Sequence, residues 1–194
     1  MERPTSFLYQ LTRLCSGRTI AMNLKPLLQG DWLGHPLHPV FVSLPVALWP
    51  AAMVCDVLAA VGASPEVFGR MAMVSMLLGL AGAMLSIPTG LADWWEIQRE
   101  KRAWKLGLYH MLLNVLATII WTTNIGMRFA SPDVGNVALA PLALSIVGTL
   151  LIGGSTWLGG RMVYDQGTGI ARTSKKRWRR IAKDAGARLA QEKD

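Results

Sequence analysis

Three histidines are the residues of this 194-residue chain best suited to chemistry near neutral pH. His35 and His38 lie in GHPLHP at residues 34–39, each followed by a proline, and His110 lies in LYHMLLN. Neutral imidazole nitrogens ligate zinc, iron and copper, and two imidazoles facing each other across a porphyrin hold haem iron. Other chemistries find no foothold. There is no nucleophile elbow, P-loop, zincin motif or dinucleotide fingerprint. GGSTWLGG at residues 153–160 is glycine-rich but sits inside an apolar run, where helix packing is the better reading. No catalytic residue is assigned, and the chain reads as an electron carrier or accessory subunit rather than an enzyme.

The elements that must position these histidines are membrane spans. The chain is 52% apolar and only 16% charged, far from a soluble profile. Four stretches, at about 39–63, 67–94, 105–127 and 137–162, are long enough to cross roughly 30 Å of hydrocarbon at about 1.5 Å per helical residue. The expected fold is an all-α integral membrane four-helix bundle over residues 31–165, with an N-terminal segment (1–30) and a basic tail (166–194). The net charge of +8 is a matter of topology before it is one of nucleic acid. Eighteen of the twenty lysines and arginines fall before span one, between spans two and three, or from Arg161 onward; only Arg70 and Arg128 fall on the other side. The positive-inside rule then places both termini in the cytoplasm. Trp32, Trp94, Trp95, Trp104 and Trp178 gather near that interface, where an indole keeps its body apolar and its N–H wet.

Span three carries the clearest polar face: His110, Asn114, Ala117, Trp121, Asn124 and Arg128 recur at spacings of four and three. Such a face is costly in lipid and must look into the bundle. Asp56 in span one is the natural partner for an arginine, so Asp56, Arg128, Asn114 and Asn124 are expected to form structural polar pairs. Small residues on span two (Ser75, Gly79, Gly82, Ser86) and span four (Ser145, Gly148, Ser155, Gly159) read as close-packing faces. Pro45 and Pro50 should bend span one. GHPLHP has no counterpart before span three, so no internal repeat is expected.

With the termini on one side, His35, His38, Asp93, His110, Asn114, Arg161 and Tyr164 all belong to one mouth of the bundle. A residue before proline avoids helical geometry, so GHPLHP should be a stiff extended lid rather than part of a helix. Two ligand sets follow. Haem b would take His110 with His38 or His35 as axial ligands, Arg161 on a propionate, and Tyr164 or Trp94 over an edge. A zinc, iron or copper ion would take His35, His38 and His110 with Asp93. The alternative is a non-catalytic structural or accessory subunit of a membrane complex, its histidines bonded only to Asp93, Asn114 and backbone carbonyls.

Outside the spans, residues 6–15 suit a short interfacial helix rather than a secretory signal. Cys15 and Cys55 are placed too differently to pair. The tail ARTSKKRWRRIAKDAGARLAQEKD suits anionic lipid headgroups, with nucleic acid as the lesser alternative.

GHPLHP, GLADWW, LYHMLLN and GGRMVY, in this order between four spans, resemble an uncharacterised family of bacterial four-span membrane proteins, domain of unknown function 2231. The resemblance covers about residues 30–170. It implies the bacterial inner membrane and, because some relatives are associated with Rieske-type iron–sulfur modules, a redox setting with a redox protein or larger membrane complex as partner. Two cysteines in unrelated positions cannot supply such a cluster here.

Overall fold

In a computed structural model, residues 24–130, 137–169 and 184–186 are described. The expectations for residues 6–15, Cys15 and almost all of the basic tail fall outside them. A short helix, α1 (Leu24–Gln29), precedes four long ones: α2 (His38–Ala60), α3 (Pro65–Trp94), α4 (Arg102–Phe129) and α5 (Leu139–Tyr164). All four long helices are long and apolar enough to cross a membrane. The boundaries match the expected spans to within three residues. Two shifts matter for the histidines. α4 begins at Arg102 rather than Lys105, which sets His110 about 12 Å along the helix. α2 begins at His38 itself, with Leu37 already at φ −80° and ψ −32°. The extended lid is therefore a correction for its second half: Pro39 occupies the first turn, where its missing N–H costs nothing, and that tolerance outweighs the bias against a helical residue before proline.

The bundle is organised for lipid. Leu78, Leu85, Leu112, Leu116, Ile119 and Leu150 are exposed, while the interior holds alanines, two tryptophans and a polar network. Large apolar groups outside and small or polar ones inside are what a bilayer solvent selects, because lipid tails give apolar side chains no reason to hide.

The four helices are two hairpins, α2–α3 and α4–α5, and they carry matching histidine, tryptophan, glycine and serine positions in the same register, with an acid in one where the other has a base. His38, Trp49 and Asp56 on α2 are spaced as His110, Trp121 and Arg128 are on α4. Gly79, Ser86 and Gly90 on α3 are spaced as Gly148, Ser155 and Gly159 on α5. The contacts repeat as well. Trp49 packs into the notch at Gly79 and Trp121 into the notch at Gly148, where an added Cβ would lie 2.5 Å from the indole Nε1. The two indoles, at most 1% exposed, stack on each other with centroids 5.4 Å apart and planes 16° from parallel. The absence of a repeat is thus corrected: the repeat is one of spacing and seating, related by an axis along the helices, as for parallel repeats in a membrane. α2 also touches α5, and α3 touches α4, as such a pairing requires.

At the end of the bundle away from the histidines the halves diverge into a polar ring. Arg128 Nη2 lies 2.6 Å from Asp56 Oδ1, and the Asp56 side chain is fully buried. Ser145 Oγ donates to Asp56 Oδ2, Asn124 Nδ2 donates to Ser145 Oγ (2.8 Å) and to Pro141 O (3.0 Å), and Arg128 Nε donates to Asn124 Oδ1 (3.1 Å). The ring closes on itself across α2, α4 and α5 and contains Asp56, Asn124 and Arg128; Asn114 lies elsewhere, bonded to His110. Removing one partner from a buried pair leaves an uncompensated charge and costs about 3–5 kcal/mol, whereas removing both with apolar replacements is often close to neutral.

Two outcomes follow. Asp56→Ala should lower the thermal unfolding temperature in detergent sharply, and Asp56→Leu combined with Arg128→Leu should recover most of the loss; equal damage in both variants would show that the pair is not a coupled unit. Gly148→Leu should destabilise by several kcal/mol by driving the side chain into buried Trp121, while Gly153→Leu, at a glycine with nothing within 4 Å, should leave the unfolding temperature within a few degrees of wild type.

Candidate functional site

The histidines of the repeat, His38 and His110, face each other at the other end of the axis. Their ring centroids are 6.3 Å apart and their planes 83° from parallel. Each ring is seated on the second helix of its own hairpin by the same device. His38 Nδ1 lies 3.0 Å from Ser86 O, and His110 Nδ1 lies 2.8 Å from Ser155 O. A helical carbonyl is normally flanked by the side chain four residues on; here that residue is Gly90 or Gly159. A Cβ at Gly90 would lie 2.6 Å from His38 Cε1, and one at Gly159 would lie 3.1 Å from His110 Cε1. The missing methyl group is the space the imidazole occupies.

This seating decides the tautomer. A carbonyl only accepts, so a neutral ring that meets it through Nδ1 carries its proton there and turns a lone pair outward on Nε2. Metal-binding histidines are held in this way, one nitrogen donating to a backbone carbonyl and the other left basic for the ligand. Among the described residues, His38 Nε2 has no hydrogen-bond partner. His110 Nε2 is met by Asn114 Nδ2 at 3.1 Å, an amide that also donates to His110 O at 2.9 Å. Ser155 Oγ reaches His110 Nδ1 at 2.9 Å. The position on α2 that corresponds to Asn114 is Val42, so the two halves hold their histidines alike and surround the outward nitrogens differently.

The remaining candidates do not join them. His35 is exposed, with Nδ1 3.0 Å from the adjacent Pro36 O; it precedes α2 and has no seat on another helix. Arg161 Nε pairs with Asp165 Oδ2 at 2.9 Å and its guanidinium lies 5.0 Å from the Trp157 ring centre, so no contact carries it to the imidazoles. Tyr164 is 86% exposed at the end of α5. Asp93 is half-buried, on the side of α3 that receives α1, where the Gln29 side chain bonds Ala92 O and Lys25 pairs with Glu96 at 2.7 Å. No group of three or more His, Cys, Asp or Glu side chains placed to share a metal ion occurs among the described residues. Trp94 is committed elsewhere: its Nε1 donates to Trp104 O at 3.0 Å, the two rings lie 4.9 Å apart, and its indole fills the notch at Gly107. Ser86, Gly90, Ser155 and Gly159 do more than pack helices; the signal in the sequence for this second role is the pattern Ser-x-x-x-Gly on both receiving helices, at equal distance from Gly79 and Gly148.

No curated protein and no solved structure is similar enough to this chain to match. A family described as "Predicted membrane protein (DUF2231)" does match, over residues 34–172, from GHPLHP through the end of α5. That span contains both histidine seats, the tryptophan stack and the buried ion pair, and the chain belongs to this family of predicted membrane proteins.

Proposed function

We propose that the chain is an integral membrane electron carrier that holds haem b between His38 and His110, at the cytoplasmic mouth of the bundle. The observation that carries this reading is the duplicated seat: two imidazoles from different hairpins, each pinned through Nδ1 to a backbone carbonyl and each turning Nε2 outward. The two ring centres lie 6.3 Å apart, close enough for one group to be shared between the imidazoles.

The count of ligands favours haem over a bare ion. Zinc usually takes four protein ligands, or three with an open position, and here only two histidines converge. Iron in a porphyrin needs only the two axial positions from the protein. Bound there, haem would supply one-electron transfer at iron. The chain's own part is to fix the imidazole planes, to raise the basicity of Nε2 through the carbonyl contacts, and to surround the site with apolar helix. The cytoplasmic placement rests on the lysine and arginine bias, and the electron partner on the chemistry alone: a redox protein or a larger membrane complex. The basic tail would add attraction to anionic headgroups.

Asn114 supports a second reading. Its amide meets the outward nitrogen of His110, so that ring is fully hydrogen-bonded without any cofactor. On that reading each histidine ties together the two helices of its own hairpin, in an accessory subunit.

Optical spectra separate the two. The purified protein, expressed with haem supplementation, should show a Soret band that shifts on dithionite reduction together with a sharp α band. His38→Ala and His110→Ala should each remove the low-spin spectrum, while His35→Ala should keep it. A wild-type protein with no Soret absorption after supplementation sinks the haem reading, and retention of the low-spin spectrum by either seat variant sinks the ligand assignment.

A further inference from the structure

A second feature lies at the same end of the bundle and does not depend on the histidines. The turn between α3 and α4 and the residues just after α5 border an open cleft of about 510 Å³, lined in part by Glu96, Gln98, Lys101, Arg102 and Thr168. That volume falls within the range of small-ligand sites.

Its lining carries two cations and one carboxylate. Of the basic side chains in the described residues, Lys25, Arg70, Arg128 and Arg161 each have a carboxylate partner. The turn's own four cations, Arg99, Lys101, Arg102 and Lys105, have none among the described residues, and two of them line the cleft. The carboxylate that also lines it, Glu96, is neutralised by Lys25 Nζ at 2.7 Å, a contact that holds its pKa below the usual carboxylate range. Gln98 adds amide donors and Thr168 a hydroxyl. The first turn of the 28-residue α4 opens at Lys101 with no side-chain cap, so the positive end of a long helix faces the same space. Two cations, neutral donors and a helix N-terminus bordering one concave site suit a tetrahedral oxyanion with several acceptor oxygens.

We propose that this cleft binds a phosphate group, either as free phosphate or as the phosphodiester of a lipid headgroup at the membrane surface. Lys101 and Arg102 supply the charge, Gln98 and Thr168 the directed donors. Arg99 and Lys105, equal in charge but outside the lining, are not part of the site.

The difference between these two cation pairs is the test. Full-length protein in detergent micelles is titrated calorimetrically with inorganic phosphate, and separately analysed by native mass spectrometry with added phosphatidylglycerol or phosphatidylcholine. Saturable binding of one equivalent is expected, weakened tenfold or more in Lys101→Gln/Arg102→Gln and unchanged in Arg99→Gln/Lys105→Gln. Binding of phosphate identifies a soluble source; binding of phosphatidylglycerol in preference to phosphatidylcholine identifies a lipid source. Both support the site when the first double variant alone loses them. Circular dichroism checks that each variant is folded, and Arg102→Gln alone serves if the double variant is not. No saturable binding of either probe, or equal weakening in the two double variants, overturns the proposal, since a general loss of surface charge would lower both alike.

Discussion

In hydrocarbon there is no water to complete a carbonyl, an imidazole or a carboxylate, so a polar group in the bundle is costly unless another part of the same chain meets it. The two ends of the axis answer this in different ways. At one end, a backbone carbonyl is uncovered by a glycine and given to an imidazole. At the other, a carboxylate and a guanidinium are closed into a ring with Ser145 and Asn124. Between them the stacked indoles fill the axis where two helices are held apart by large flat side chains. The glycines of α3 and α5 are therefore more than sites of close helix approach. They are recesses cut to the shape of particular rings, and the positions of those rings follow from them.

Much of this is legible in the residues. The four spans are visible in hydropathy and length, and the inward face of α4 in the spacing of His110, Asn114, Trp121, Asn124 and Arg128, because a period near 3.6 combined with polar residues in an apolar helix has only one economical explanation. The partner of Asp56 follows from charge. The seats are not legible in the same way. A glycine that admits an imidazole and a glycine that admits another helix look identical in one sequence, and only the contacts at Gly90 and Gly159 separate them.

The repeat hides in the sequence for a related reason. GHPLHP and LYHMLLN share only the histidine, since the residues around each adapt to a different surrounding: prolines at the start of α2, and a helix already two turns old at His110. What the halves share is distance along the helix, which determines where a side chain arrives, and not the identity of its neighbours. Arg161 and Tyr164 share the histidines' end of the bundle without contacting them. Belonging to the same mouth is a statement about depth, and says nothing about direction around the helix; Arg161 is satisfied one turn away by Asp165.

The joining of two like hairpins in one chain frees positions that a dimer of identical hairpins could not vary. Where two copies meet across an exact two-fold, an acid at Asp56 would face an acid and an arginine at Arg128 would face an arginine, each pair repelling in a medium that screens little. Once the halves are covalently linked, one can keep the acid and the other the base, and the ends of the axis become chemically unlike. The histidines remain matched, each seated on a backbone carbonyl of its own hairpin. The ion pair is unmatched because only opposite charges attract. Covalent fusion thus converts a symmetric assembly into one with a direction, a polar lock at one end and a pair of matched imidazoles at the other.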